Sequence, residues 1–267
     1  IGERGREVLD FIHKNLGTEG LKKSVVIVAG ADQPALVRTR AAFAATAVAE
    51  YFRNQGVDVM LAMDSLTRFA MAQREIGLAV GEPPTSRGYT PSSFSILPKL
   101  LERAGNFETG GSITGFYTVL VEGDDFNEPV TDNLRAILDG HIILSRGLAN
   151  KSLLPAVDIL ESASRLLTDL IDDSHQATIA ELKRLLTIHQ ESKDIIEMGV
   201  YQRGNNADLD RAIAVLPLVQ DLFRQQPDFA ADPSSTLNEL NRCMAQAGVQ
   251  KRGDFGRASR ASGGGAS

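Results

Sequence analysis

Two hydrophobic periodicities divide the chain. From Ser24 to about Ser145, short apolar runs alternate with stretches in which apolar residues recur every three or four positions. Ser24–Gly30 (SVVIVAG) and Val57–Asp64 (VDVMLAMD) are continuous apolar runs, the pattern of strands covered on both faces. Between them Leu36, Phe43, Ala47 and Tyr51 fall near multiples of 3.6 and the pattern stops at Gly56, predicting a helix over 34–54. A second helical pattern covers Ser65 to about Val80. Gly81–Pro91 (GEPPTSRGYTP) holds three prolines and two glycines and must be a loop. Helix resumes over 92–104, and two further apolar strands, Ser112–Val121 and His141–Ser145, flank a short helix near Thr131–Asp139.

Strand–helix alternation of this kind implies an α/β fold, a mostly parallel sheet flanked by helices. After Arg165 the period changes for good. Ile179, Leu182, Leu185, Leu186 and His189 share one helical face, and 209–225 and 234–247 are also amphipathic. The organisation expected is an α/β core over 1–165, a small all-helical C-terminal domain over 166–247, and a disordered tail over 248–267. Gly253–Ser267 is rich in Gly, Ser and Arg and offers too little apolar surface to offset its ordering entropy.

Composition narrows the function classes. A length of 267 residues suffices for one large or two smaller domains. A net charge of −6, from 34 acidic and 28 basic residues, argues against a broad nucleic-acid face. Cys243 is the only cysteine, so no internal disulfide forms and a reducing cytoplasm suits the chain. No apolar run approaches the roughly 18 residues of a transmembrane helix. The opening Ile1-Gly2-Glu3-Arg4-Gly5-Arg6-Glu7 has no initiator Met, signal sequence or upstream strand, and is expected to lie inside a larger domain.

Three residues can carry chemistry. Asp64 ends an apolar strand, where ligands collect in open parallel sheets; there it either organises Mg²⁺ beside a nucleotide's phosphates or caps the helix that follows. Glu3, just before a helix, is either a carboxylate that polarises an attacking water or a surface acid favoured by the helix N-terminus. Arg165 closes Asp158–Arg165 (DILESASR) at the junction of the two domains, where it either neutralises charge on a transferring phosphoryl group or forms a salt bridge. His13, His141, His175 and His189 show no metal-ligand spacing. The sequence also lacks a G-x-x-x-x-G-K-[ST] phosphate loop, a dinucleotide fingerprint and a nucleophile elbow.

Taken together, the segments resemble a known family. Gly2–Glu7 is similar to the GERxRE motif of rotary and export ATPases, Asp32–Arg38 (DQPALVR) to a motif of the export branch, and Asp64–Ala70 (DSLTRFA) to its Walker B strand end and following helix. Gly81–Ser92, Asp124–Pro129 (DDFNEP) and Asp139–Arg146 (DGHIILSR) follow in the same order. The resemblance is to type III secretion and flagellar export ATPases, relatives of the rotary ATP synthase catalytic subunit, and covers roughly residues 1 to 225.

It implies a RecA-like core, ATP as substrate, Mg²⁺ as cofactor and a homohexameric ring with ATP at the subunit interfaces. Glu3 would activate the attacking water, Asp64 would hold Mg²⁺ through water, and Arg165 would reach a neighbour's site as an arginine finger. Arg4 and Arg68 match arginines near the γ-phosphate. Leu154, before Pro155, stands where many relatives set an aromatic ring on adenine; an aliphatic side chain covers one base face without the stacking term. The phosphate loop of the family would fall before residue 1. The partners implied are further copies of the chain, stalk or regulator proteins of the export apparatus and chaperone–cargo complexes, at the cytoplasmic face of the bacterial inner membrane. Gly81–Ser92, with Arg87 and Tyr89, either borders the ring channel and touches passing protein or is a structural loop. Two other readings are a non-catalytic ring subunit, which Glu3 opposes, and a hexameric RNA helicase, which the acidic balance and the 32–38 and 81–92 segments oppose.

Overall fold

One helix carries most of the first core. In the computed structural model, which describes residues 1–253 apart from Thr109, the chain divides into two units, Ile1–Leu138 and the residues from Asp139 onward. In the first unit, helices α1 (Gly5–Asp10), α2 (Ala35–Arg53), α3 (Leu66–Ala79), α4 (Pro91–Leu101) and α5 (Pro129–Ile137) accompany strands β1 (Val59–Met63), β2 (Gly105–Asn106) and β3 (Ser112–Tyr117). Leu66, Phe69 and Ala70 of α3 are fully buried and meet Leu97, Leu100, Val130 and Leu134 from α4 and α5. Phe43 of α2 packs edge-on against Phe69, ring centroids 5.9 Å apart.

Local signals set the helix ends. Ser65 caps α3, its hydroxyl accepting from the Arg68 amide at 3.4 Å. Pro91 starts α4 at the first helical position, where its missing N–H costs nothing. Gly77 lets α3 run against the start of α4: a Cβ there would sit 2.4 Å from the Thr90 hydroxyl.

β1 and β3 pair in parallel, from Val59 beside Ile113 to Met63 beside Tyr117, and β2 adds antiparallel to β3. Side chains alternate across this sheet: Leu61, Met63 and Ile113 face the core, while Met60 and Phe116 face outward and are exposed.

Ser24–Gly30, expected as a buried strand, is extended but pairs with no strand among the described residues. Val25 is 60% and Val28 51% exposed. A strand needs hydrogen-bonded neighbours as well as an apolar sequence, and here the chain start gives a single cross-link on either side of Gly30: Gly2 N–H donates to Ala29 O at 2.7 Å and Ala31 N–H to Glu3 O at 3.0 Å.

A two-pronged ion pair joins α2 to the chain after α4. Arg103 donates from Nε and Nη2 to the Glu50 carboxylate at 2.7 and 2.5 Å. The Arg103 hydrogen bonds hold the Glu50 carboxyl below its ordinary value, against a smaller opposing effect of burial. The folded state therefore binds this proton less tightly than the unfolded chain. The pair's contribution is complete above the unfolded carboxylate value and is lost as pH falls through the lower folded one. Glu50→Gln is expected to cost about 0.5–1 kcal/mol at neutral pH. The difference in urea midpoint from the unsubstituted chain should close as the titration is repeated at falling pH.

In the second unit, β4 (Gly140–Leu144) and β5 (Val157–Ser164) form an antiparallel pair of their own. The polar stretch 158–165 thus supplies a strand that its composition hides. Its register shifts opposite His141–Ile143, and polar side chains take over bonds there: Asp158 Oδ1 accepts from the Leu160 and Glu161 amides, and Ser162 Oγ from Ile143 N at 3.0 Å. Helices α6 (Asp173–Glu191), α7 (Ala207–Phe223) and α8 (Pro233–Gly253) follow. Leu182, Leu185 and Leu186 pack against Leu209, Ala212, Val215 and Val219, the apolar face read from sequence. Asp172 and Asn206 cap α6 and α7 through their side chains. α8 continues to Gly253, six residues into the segment expected as a tail; the rest of that tail lies outside the described residues. Among the described residues no helix is long and apolar enough to cross a membrane.

Candidate active site

The parallel register assembles the site. Because Met63 lies beside Tyr117, the next residues, Asp64 and Thr118, come side by side at the carboxyl end of the sheet. Thr118 Oγ1 donates to Asp64 Oδ1 at 2.5 Å, which orients an otherwise exposed carboxylate. The backbone is stitched at the same place: Thr118 N–H donates to Met63 O at 3.1 Å and Leu66 N–H to Thr118 O at 2.9 Å. The Ile1 backbone nitrogen donates to Asp64 O at 2.5 Å, bringing the first residues of the chain to this strand end.

That approach delivers Glu3. Arg68, one turn into α3, places Nε 2.7 Å from Glu3 Oε1 and donates from Nη1 to Gly2 O at 2.8 Å. Gly2 has φ +72° and its α-carbon faces the Arg68 side chain, 3.0 Å from where a Cβ would stand, so a larger residue would be strained and would press on that arginine. The Glu3 carboxyl sits above its ordinary value. Burial is the main cause and a hydrogen bond with Glu7 adds to it, while the Arg68 charge pulls the other way. A carboxylate that holds protons more tightly than usual is a better general base.

The structure therefore unites Glu3, Asp64 and Arg68 of the sequence-derived set. Arg4, the N-cap residue of α1, is exposed and makes a loose ion pair with Glu7 at 3.8 Å. Leu154 and Arg165 belong to the second unit. Leu154 is 54% exposed and precedes a cis peptide to Pro155, and its carbonyl accepts from Gln225 N at 2.9 Å. Arg165 is exposed at the end of β5, its amide donating to Asp139 O at 2.7 Å. Sequence reasoning missed Thr118 and Glu7. Thr118 is 54 positions from Asp64, and only the strand register reveals it; Glu7 stands one helical turn after Glu3 and could have been found by that spacing.

Among the described residues no three His, Cys, Asp or Glu side chains gather into a metal cage. One exposed carboxylate fixed by a hydroxyl suits Mg²⁺ rather than zinc, because Mg²⁺ keeps several waters and takes one or two protein carboxylates together with substrate phosphates.

Comparison with known proteins decides the lineage. Residues 1–164 match the model of the ATP synthase alpha/beta family, nucleotide-binding domain, and residues 171–242 that of the T3SS EscN ATPase C-terminal domain. The chain belongs to the ATP synthase alpha/beta family, among its flagellar and type III secretion ATPases. It is 56% identical over 228 residues to the flagellum-specific ATP synthase of Bacillus subtilis (strain 168), a match covering 85% of this chain and 52% of that protein. The assembled ATPase EscN from the enteropathogenic E. coli type III secretion system superposes with a TM-score of 0.87 at 45% identity, covering 91% of this chain and 59% of that one. EscN in complex with its central stalk EscO gives 0.83 at 44%, covering 91% and 58%. The chain spans about half the length of the curated relatives it matches. As a member of this family it carries the expected α/β nucleotide-binding core and helical C-terminal domain.

Proposed function

We propose that this chain forms the Glu3–Asp64 half of an ATP-hydrolysing site in a ring-shaped protein-export ATPase. The observation that carries the proposal is the convergence of Glu3, held by Arg68, and Asp64 at the carboxyl end of a parallel strand pair. Glu3 takes the proton of the attacking water, and its raised proton affinity suits that task. Arg68 positions the Glu3 carboxylate, and its charge would meet a γ-phosphate. Asp64, held by Thr118, would hold Mg²⁺ through water. When bound, Mg²⁺ supplies charge neutralisation across the β- and γ-phosphates. Arg4 lies near the γ-phosphate, Leu154 covers one face of adenine, and Arg165 serves a neighbouring copy's site.

The assembled EscN relative supports a ring of identical subunits, and its complex with EscO supports a central stalk as partner. Chaperone–cargo complexes and the cytoplasmic face of the inner membrane complete the reading, with α/β core over 1–165 and helical domain over 166–247.

The test is Mg²⁺-dependent ATP turnover in a protein carrying this chain at the full length of its relatives. Turnover should saturate with Mg²⁺, and Asp64→Asn should raise the Mg²⁺ requirement and lower the maximum rate by at least about 10-fold. Unchanged Mg²⁺ dependence in Asp64→Asn would sink the assignment of the site.

A further inference from the structure

The Gly81–Pro91 loop does not have the form of a free contact loop. Thr85 and Tyr89 close it through a 2.7 Å bond from the Thr85 amide to the Tyr89 carbonyl, and a second from the Thr85 hydroxyl to the same oxygen. Tyr89 is 6% exposed, its ring 5.8 Å from Phe94 and under the Arg74 guanidinium at 5.3 Å. It is not available to touch a passing chain. Arg87 stands at φ +53°, a left-handed conformation uncommon for a residue with a side chain. That conformation aims its guanidinium at the 122–128 segment, where it ion-pairs with Asp125 and, at 3.3 Å, with Glu128 Oε2. Glu128 is only 5% exposed; its other oxygen accepts from the Thr131 hydroxyl at 2.8 Å. A buried carboxylate of this kind depends on its cation.

The same segment is fastened at its other end to the catalytic strand. Thr67, buried beside Asp64 and Arg68, donates its hydroxyl to Leu120 O at 3.2 Å and accepts from Leu120 N at 2.8 Å. Thr118 is bonded to Asp64, Met63 and Leu66 as described above. Residues 118–128 therefore run from the Asp64 end of β1 to Arg87 with a fastening at each end.

We propose that residues 118–128 are a strap coupling the 81–91 loop to the Asp64 strand end, and that Arg87 is the positioning residue that holds its outer end. Anything that draws Arg87 away from Asp125 and Glu128 loosens the strap at Thr118 and Leu120, and so changes how firmly Asp64 is oriented. Coupling of this sort is reciprocal. Release at Thr67 must be felt at the loop.

Hydrogen exchange on the 267-residue chain tests both directions without any nucleotide. Arg87→Ala is expected to speed exchange about 10-fold or more at the Gly88 and Tyr89 amides and also at Thr118, Leu120, Asn127 and Glu128. Thr67→Val should speed exchange at Gly88 and Tyr89, which lie outside its own contacts. Arg87→Lys keeps the charge but loses the fork that spans two carboxylates, and should restore part of the protection. Protection in α2 over 42–49 reports whether the unit stays folded. If Arg87→Ala unfolds it, Asp125→Asn, which leaves Glu128 its cation, carries the same expectation. Faster exchange confined to 85–89 in Arg87→Ala, or Gly88 and Tyr89 unaffected by Thr67→Val, overturns the strap.

Discussion

Arg165→Ala, in a ring-forming protein of full family length, is expected to lower ATP turnover by about 10³- to 10⁵-fold while nucleotide binding and the fold survive. At ~1.36 kcal/mol per decade this is roughly 4–7 kcal/mol of transition-state stabilisation. An exposed salt bridge at the same place contributes only about 0–1 kcal/mol, so the measurement separates the two roles by orders of magnitude. Arg165 is exposed at the end of β5, and alanine keeps the bond from its backbone amide to Asp139 O. Turnover and nucleotide affinity measured side by side decide the matter. A variant with a Kd near the unsubstituted value and a rate within about threefold of it would return Arg165 to the role of surface residue.

Glu3→Gln should lower turnover by about 10²- to 10⁴-fold, again without loss of binding. Carboxylate and amide have nearly the same shape, but the amide cannot draw a proton from water. The substitution also removes the charge that faces Arg68 at 2.7 Å, so that arginine is left with Gly2 O as its described partner at this site. Single-turnover measurements will show whether the loss lies in the chemical step. Because Glu3 and Arg165 would serve one site from two subunits, mixing the two variants should restore part of the activity. Some interfaces in a mixed ring carry an intact Glu3 on one side and an intact Arg165 on the other. Mixed rings with no recovered turnover would place both residues in the same subunit's chemistry or in none.

Much of this architecture is written locally. Residues 35–53 and 66–79 form helices within a residue or two of where apolar spacing, Pro34, Gly56 and Gly81 place them. The apolar face Leu182, Leu185 and Leu186 packs as its period requires. What escaped depends on partners distant in sequence. Ser24–Gly30 has every local mark of a strand, yet strand formation is a property of a pair, and among the described residues no strand pairs with it. β5 was hidden for the opposite reason: Asp158 and Ser162 are polar because their side chains complete the hydrogen bonding at a register shift. The site itself was half legible. Glu3 and Asp64 stand in motifs, but the hydroxyl of Thr118 that aims Asp64 follows from parallel pairing, and the burial of Tyr89 from the fold of a loop that looked exposed on composition alone.

The exposed stretch Val25–Val28 has a consequence for association. Consecutive β-branched residues whose N–H and C=O groups meet no backbone partner among the described residues are a template on which another extended segment can grow, and no proline or charge between Ser24 and Gly30 interrupts it. Such a stretch is open to pairing with another extended segment.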